Sequence, residues 1–196
     1  PERIVFSSNR SDPAILDLYV LDLETQEISP VNTGFEVALF GRWSPDGHMI
    51  LFTVANIWNL YTILPDGTDL TQLTDFSSAN ADWSPDGGRI VFQSDHDNEP
   101  KDPPDIYVID STGENMVEIL DAPEIPDYNA RWSPDGEKIL FTSNRTEKTE
   151  LFTIGLDGAE ILQVTESEAP IGGGEWSPDG SRIVFTYGGF GLTDLY

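Results

Sequence analysis

Apolar residues along this chain come in short runs of three to six, such as Ile4-Val5-Phe6 and Met49-Ile50-Leu51-Phe52. Runs of that length, bounded by Gly, Pro, Asn, Asp and Ser, predict β-strands, and no stretch reads as a helix. None approaches the roughly 18 apolar residues that a membrane-spanning helix needs.

The strands recur with fixed punctuation. Trp-Ser-Pro-Asp-Gly starts at Trp43, Trp83, Trp132 and Trp176, at spacings of 40, 49 and 44 residues. A period of about 40 to 50 residues is that of a four-stranded propeller blade. After each Gly comes an apolar run ending in Phe52, Phe92, Phe141 or Phe185. An aromatic-bearing strand follows, as in Asn59-Leu60-Tyr61, Asp105-Ile106-Tyr107 and Glu150-Leu151-Phe152. Next is a tight turn, Pro65-Asp66-Gly67, Ser111-Thr112-Gly113 or Leu156-Asp157-Gly158, and then a short closing strand such as Thr71-Gln72-Leu73-Thr74.

The pentapeptide has a mechanism of its own. Pro presets φ at the second turn position, Asp bonds back to the backbone, and Gly takes the left-handed conformation. It therefore predicts a hairpin between the first and second strands of each blade. The Trp before it supplies a large apolar surface between neighbouring blades.

The chain thus reads as all-β: a β-propeller domain over 1–196, built of four-stranded antiparallel blades. Residues 2–35 form a partial blade, 36–75, 76–121 and 122–166 complete ones, and 167–196 another partial one. Three strands, twelve and three make eighteen. Rings close to hide strand edges, and two three-stranded pieces overfill one blade. The expected whole is a longer chain with at least five blades, six being preferred. An opening at Pro1 without Met fits a processed chain or a piece of a longer one.

Charge adds a constraint on partners. Asp and Glu number 35 against 10 Lys and Arg, a formal net of −25. Such a surface repels nucleic acid and anionic lipid and attracts cations or a basic protein. It also keeps a protein soluble, and three lysines fit adaptation to high salt. With no cysteine, disulfides, thiolate nucleophiles and Cys-based zinc sites are excluded.

The units Trp-Ser-Pro-Asp-Gly-x-x-Ile-x-Phe, Leu-Tyr-x-x-Asp and Leu-Thr resemble the WD40-like "PD40" repeats of the TolB family of propellers. Arg3 to Arg10 and Asp17 to Asp22 resemble the second and third strands of one more unit. The resemblance implies an extracytoplasmic (periplasmic or cell-surface) propeller that binds a protein or glycan partner and is not an enzyme. It also leaves open a surface-layer or filament subunit, and an accessory propeller of a peptidase or other hydrolase. No Gly-x-Ser-x-Gly elbow occurs in the chain.

Candidate chemistry sits in the loops between second and third strands, where binding residues gather over a rigid scaffold. The longest, Ser94 to Asp105, alternates Asp95, Asp97 and Glu99. Hard oxygen ligands so spaced suit calcium; no other cofactor is expected. His48 is expected on an exposed hairpin, and neither it nor His96 supplies the cluster a metal-dependent lyase needs. The residue before each Trp alternates in sign, Arg42, Asp82, Arg131, Glu175, which predicts ion pairs Arg42–Asp82 and Arg131–Glu175 between blades. Asn9-Arg10 and Asn144-Arg145 recur after their second strands, their Arg side chains expected on local carbonyls or carboxylates. Gly172-Gly173-Gly174 is expected to precede a first strand and to let blades approach closely; Gly188 to Gly191 forms a loop with no following helix to cradle phosphate.

Overall fold

The computed structural model describes residues 2–96, 103–120, 122 and 124–188, with the backbone of 194–195. Among them are eighteen strands in five antiparallel sheets and no helix. The first sheet is β1 (Arg3–Ser8), β2 (Asp17–Asp22) and β3 (Ile28–Pro30). The second is β4 (Ala38–Trp43), β5 (Ile50–Val54), β6 (Asn59–Ile63) and β7 (Thr71–Gln72). The third is β8 (Ser78–Trp83), β9 (Arg89–Ser94), β10 (Asp105–Asp110) and β11 (Val117–Leu120). The fourth is β12 (Asp127–Trp132), β13 (Lys138–Ser143), β14 (Glu150–Gly155) and β15 (Ile161–Gln163). The fifth is β16 (Ile171–Trp176), β17 (Ile183–Tyr187) and β18 (Asp194–Leu195). Strands lie side by side in chain order, so each sheet is a meander. This is the three, four, four, four, three arrangement that the repeat predicts. The chain forms two compact units, Pro1–Ala81 and Asp82–Tyr196.

Burial explains the hydrophobic pattern. Both β5 and β6 are buried along their whole length, so they read as continuous apolar runs rather than alternating ones. Closing strands β3, β7 and β15 are exposed throughout and carry little signal. Across the second and third strands of the first four sheets an aromatic pair stands in register: Phe6–Tyr19, Phe52–Tyr61, Phe92–Tyr107 and Phe141–Phe152, with ring centroids 5.8 to 6.0 Å apart. Such pairs add cross-strand stability beyond area burial.

Within each unit a first strand packs over the preceding sheet. In the first unit β4 lies on β1 and β2, and Leu18, Val20 and Val31 share a core with Ile50, Phe52 and Ile63. In the second, β12 lies on β9 and β10, and β16 on β13 and β14. Close approach needs a small residue two places before each Trp. These are Gly41, Ala81, Ala130 and Gly174, a periodicity beyond the pentapeptide. A Cβ on Gly41 would stand 3.0 Å from Val5, and one on Gly174 would stand 2.9 Å from Leu151. Within the units Trp43, Trp132 and Trp176 take the inter-sheet role expected of them. Trp132 is 5% exposed among Val91, Ile106, Ile139 and Phe141, and the Arg3 guanidinium covers Trp43 at 4.3 Å.

The glycine triplet corrects one expectation: it lies inside β16, not before it. There the β16–β17 register shifts between Ile171 and Gly174, and a Cβ on Gly172 would collide with the Thr186 hydroxyl.

The hairpin turn also holds more than the pattern shows. In all four copies the Ser hydroxyl donates to the Asp Oδ1 at 2.6 Å (Ser44–Asp46, Ser84–Asp86, Ser133–Asp135, Ser177–Asp179). That oxygen also accepts the N–H two residues on, at 3.0 Å. The Ser Oγ in turn accepts the N–H five residues on, at or one residue before the start of the second strand, at 2.9 Å. The Gly residues stand at φ 69 to 72. The Ser hydroxyl is the largest influence holding all four carboxyls below their ordinary value; Asp179, which also accepts from the Ser181 hydroxyl, is held at about 2.

A candidate binding surface at the loop end of the blades

The ends of the sheets opposite these hairpins carry the connections from second to third strands. In the first unit the β5–β6 turn, residues 55–58, is short and pinned. Trp58 N–H bonds Val54 O at 2.7 Å, Ala55 N–H bonds Val37 O at 3.0 Å, and Ser78 N–H bonds Trp58 O. On the other side of Val37, Leu16 exchanges backbone bonds with Glu36 and Ala38 at 2.8 and 2.7 Å. Ile15, Ile57 and Trp58 stand exposed on this framework.

Two aromatic residues here occupy backbone that aromatics avoid. Trp58 has φ 53 and is 45% exposed; Phe40, on β4 of the same sheet, has φ 58 and is 48% exposed. Left-handed backbone costs an L-residue with a bulky side chain about 1–2 kcal/mol. At the place of Phe40 other copies of the repeat hold Asn80 and Asn129, also left-handed at φ 53 and 54, and Gly173. Asn and Gly are the residues that tolerate such backbone best. The fold accepts them at that bulge in the first strand; Phe40 stands there at a cost and leaves its ring half in solvent.

In the second unit the described residues at the same end are polar. Arg145 stacks over Phe141 and Phe152 at 5.0 and 5.1 Å, and its Nη2 donates to both Asp127 oxygens at 3.0 and 3.1 Å. Arg10 in the first unit stacks likewise over Phe6 and Tyr19 at 4.9 and 5.1 Å. The expected carboxylate contact is thus present for Arg145, and the aromatic sandwich is an addition. Asp127 is fully buried; burial pushes its carboxyl up, against the Ser143 hydroxyl and the Arg145 charge, with Asp105 nearby adding to the rise. Buried Glu150 is also pushed up by burial, but the Thr165 hydroxyl and Ser167 hold it below its ordinary value.

These carboxylates are ties rather than reagents. Glu150 opens β14 and accepts from Thr165 and Ser167 beyond β15; Asp17 opens β2 and accepts from the Thr33 hydroxyl at 2.6 Å beyond β3. Thr74 and Thr165, from the Leu-Thr motif region, accept the N–H of Leu60 and Leu151 at 2.9 Å. Each ties the exit of a fourth strand to the start of the third.

Of the predicted calcium ligands, Asp95 is exposed, while Asp97 and Glu99 lie outside the described residues. His96 is exposed and donates its N–H to Ser94 at 3.0 Å. His48 stands on its hairpin with a side chain 77% exposed, Nδ1 3.0 Å from Asp46 O. Among the described residues no group of three His, Asp or Glu converges to hold a metal. Arg131 Nε meets Glu175 at 2.7 Å, joining β12 to β16 as the alternating charges predict. Asp82 accepts the Trp132 N–H at 3.0 Å. Sequence reasoning missed Phe40 and Trp58. The available signal was an aromatic where other copies carry Asn or Gly, and the one Trp outside the pentapeptides.

No family model matches the chain. Its backbone superposes on TolB from Acinetobacter baumannii with a TM-score of 0.81 at 20% identity, over 98% of this chain and 49% of that one. A nidogen/laminin complex gives 0.76 at 11% identity, over 100% of this chain and 74% of that one. An oligogalacturonate lyase in complex with manganese gives 0.57 at 13% identity, over 95% and 68%. The fold is a TolB-like β-propeller, and the chain spans about half the length of that TolB.

Proposed function

We propose that this chain is a non-catalytic, extracytoplasmic binding domain that takes a protein partner on the loop end of its first unit. The observation that carries the reading is the pair Phe40 and Trp58, half-exposed rings held in left-handed backbone. Tryptophan is enriched among the residues that dominate interface energies, and a turn already pinned loses little freedom on docking. The TolB-like fold, and its occurrence in a nidogen/laminin complex, favour a protein partner over a glycan. The alternating acids Asp95, Asp97 and Glu99 belong to the same proposal as a calcium-holding loop.

Affinity capture from an envelope extract tests it, with wild type, Trp58→Ala and Phe40→Asn immobilised in parallel. A protein captured by wild type and lost with both variants supports the reading; equal capture overturns it. A glycan array read with the same three proteins identifies a sugar ligand instead. Calcium titration by calorimetry, with Asp95→Asn beside wild type, tests the loop; no heat of binding removes the metal.

A further inference from the structure

The hairpin end of the first unit, opposite the Ile57–Trp58 turn, holds a groove of about 860 Å³ between the first and second sheets. Its lining mixes two chemistries. Val20 and Leu64 bring apolar surface, and four carboxylates, Asp22, Glu27, Asp46 and Asp66, surround it. Arg3 also lines the groove, but its guanidinium is committed, bonding Gly47 O at 2.7 Å and covering the Trp43 ring. His48, the other basic group, is tied to Asp46 through Nδ1.

Three of the carboxylates are fixed in place by their own turns. Asp22 Oδ1 accepts the N–H groups of Glu24 and Thr25 at 2.9 and 2.8 Å. Asp46 Oδ1 is held by Ser44 and His48, and Asp66 Oδ1 by the N–H and hydroxyl of Thr68 at 3.0 and 2.6 Å. The turns use one oxygen of each group, the other Asp46 oxygen facing His48 Nδ1 at 3.5 Å, and they hold all three carboxyls below their ordinary value, Thr25, Ser44 and Thr68 being the largest influences. The groove thus sets four carboxylates, three of them held by their turns, against the single positive charge of Arg3 around apolar surface.

We propose that this groove docks a basic peptide segment, an apolar side chain seated between the sheets and a Lys or Arg on either side of it meeting the carboxylates. Charge complementarity selects the occupant: an acidic or neutral segment gains nothing from four carboxylates, and a nucleic acid or anionic lipid is repelled. The site is distinct from the Phe40–Trp58 surface and does not depend on it.

Fluorescence anisotropy with a labelled Gly-Arg-Leu-Arg-Gly peptide tests the proposal. Saturable binding with a Kd below about 1 mM is expected, weakened about tenfold by Glu27→Gln with Asp66→Asn. Asn keeps the Oδ1 acceptor that the turn needs, and Glu27→Gln alone serves if the pair disturbs folding. Glu137→Gln with Glu160→Gln removes the same charge from outside the groove and should leave binding within about twofold. A peptide with Glu for Arg should not bind, and one with Ser for Leu should bind severalfold more weakly. Trp58→Ala should leave this binding unchanged, so failure here and failure of the loop-end surface are separable. Equal weakening by both charge pairs, an unaffected Ser peptide, or no saturation would each overturn the proposal.

Discussion

The loop ends of the two units are built from one repeat and have opposite chemistry. In the first unit the turns expose Ile15, Ile57 and Trp58, with Phe40 on the strand beside them. In the second, the same end buries Asp105, Asp127 and Glu150. One feature is common to both: Arg10 and Arg145 each lie over an aromatic pair. Strands and hairpins repeat because every blade has the same packing to solve. The loop ends are free of that demand. Both units use that freedom to anchor the chain, through Asp17 and Thr74 in the first and Asp127 and Glu150 in the second, and the first also presents exposed rings.

The largest test of this contrast is at the buried ion pair of the second unit. Arg145→Ala should cost about 3–5 kcal/mol by leaving Asp127 charged and buried. Urea unfolding at neutral pH measures it, and a loss below about 1 kcal/mol would show that the pair does not anchor the chain. Adding Asp127→Asn to Arg145→Ala should recover part of the loss.

Next is Trp58→Ala. It should weaken partner binding by about tenfold or more, roughly 1.4 kcal/mol, and move stability by less than about 0.5 kcal/mol. A variant that unfolds instead would make Trp58 a structural residue like the other four.

Phe40→Asn reads the same contrast from the opposite side. Relief of the left-handed strain should raise stability by about 1 kcal/mol while binding falls. A loss of stability would show that the fold holds the ring for its own packing.

Acid titration gives the smallest effect. The turn aspartates have folded pKa values below the unfolded value, Asp179 at about 2, so their contribution is complete above the unfolded pKa near 3.9 and is lost as pH falls through the folded one. Asp127 is raised, so its term is complete at low pH and is lost as pH rises through its folded value. Ser177→Ala should therefore flatten the acid loss of stability, and Asp127→Asn should steepen it. Thermal melts between about pH 2 and 5 check both signs.

Legibility in the sequence follows the range of the interactions. The Ser-Pro-Asp-Gly hairpin closes within six residues, so its Gly conformation and its Asp backbone bond are readable directly. The role of its Ser hydroxyl is equally local, yet no residue pattern marks it. Arg145 and Asp127 stand 18 residues apart and meet only because β12 and β13 pair, so the sequence foretold a carbonyl or carboxylate partner but neither which kind nor which residue. The first-strand bulge is less visible still. Asn80 and Asn129 hint at left-handed backbone, but nothing near Phe40 or Trp58 predicts it for an aromatic ring.

What the chain by itself determined is the blade: four strands per period, hairpins set by Pro, Asp and Gly, and a Trp between sheets. These rest on short-range sterics and on a period that repeats, so they survive without knowledge of the fold. The tertiary structure alone decided which residues are left over. Exposure of Phe40 and Trp58, burial of Asp127, and the acidic groove between the first two sheets arise when whole sheets pack together. A side chain's surroundings there come from residues distant in sequence, and no local pattern encodes them.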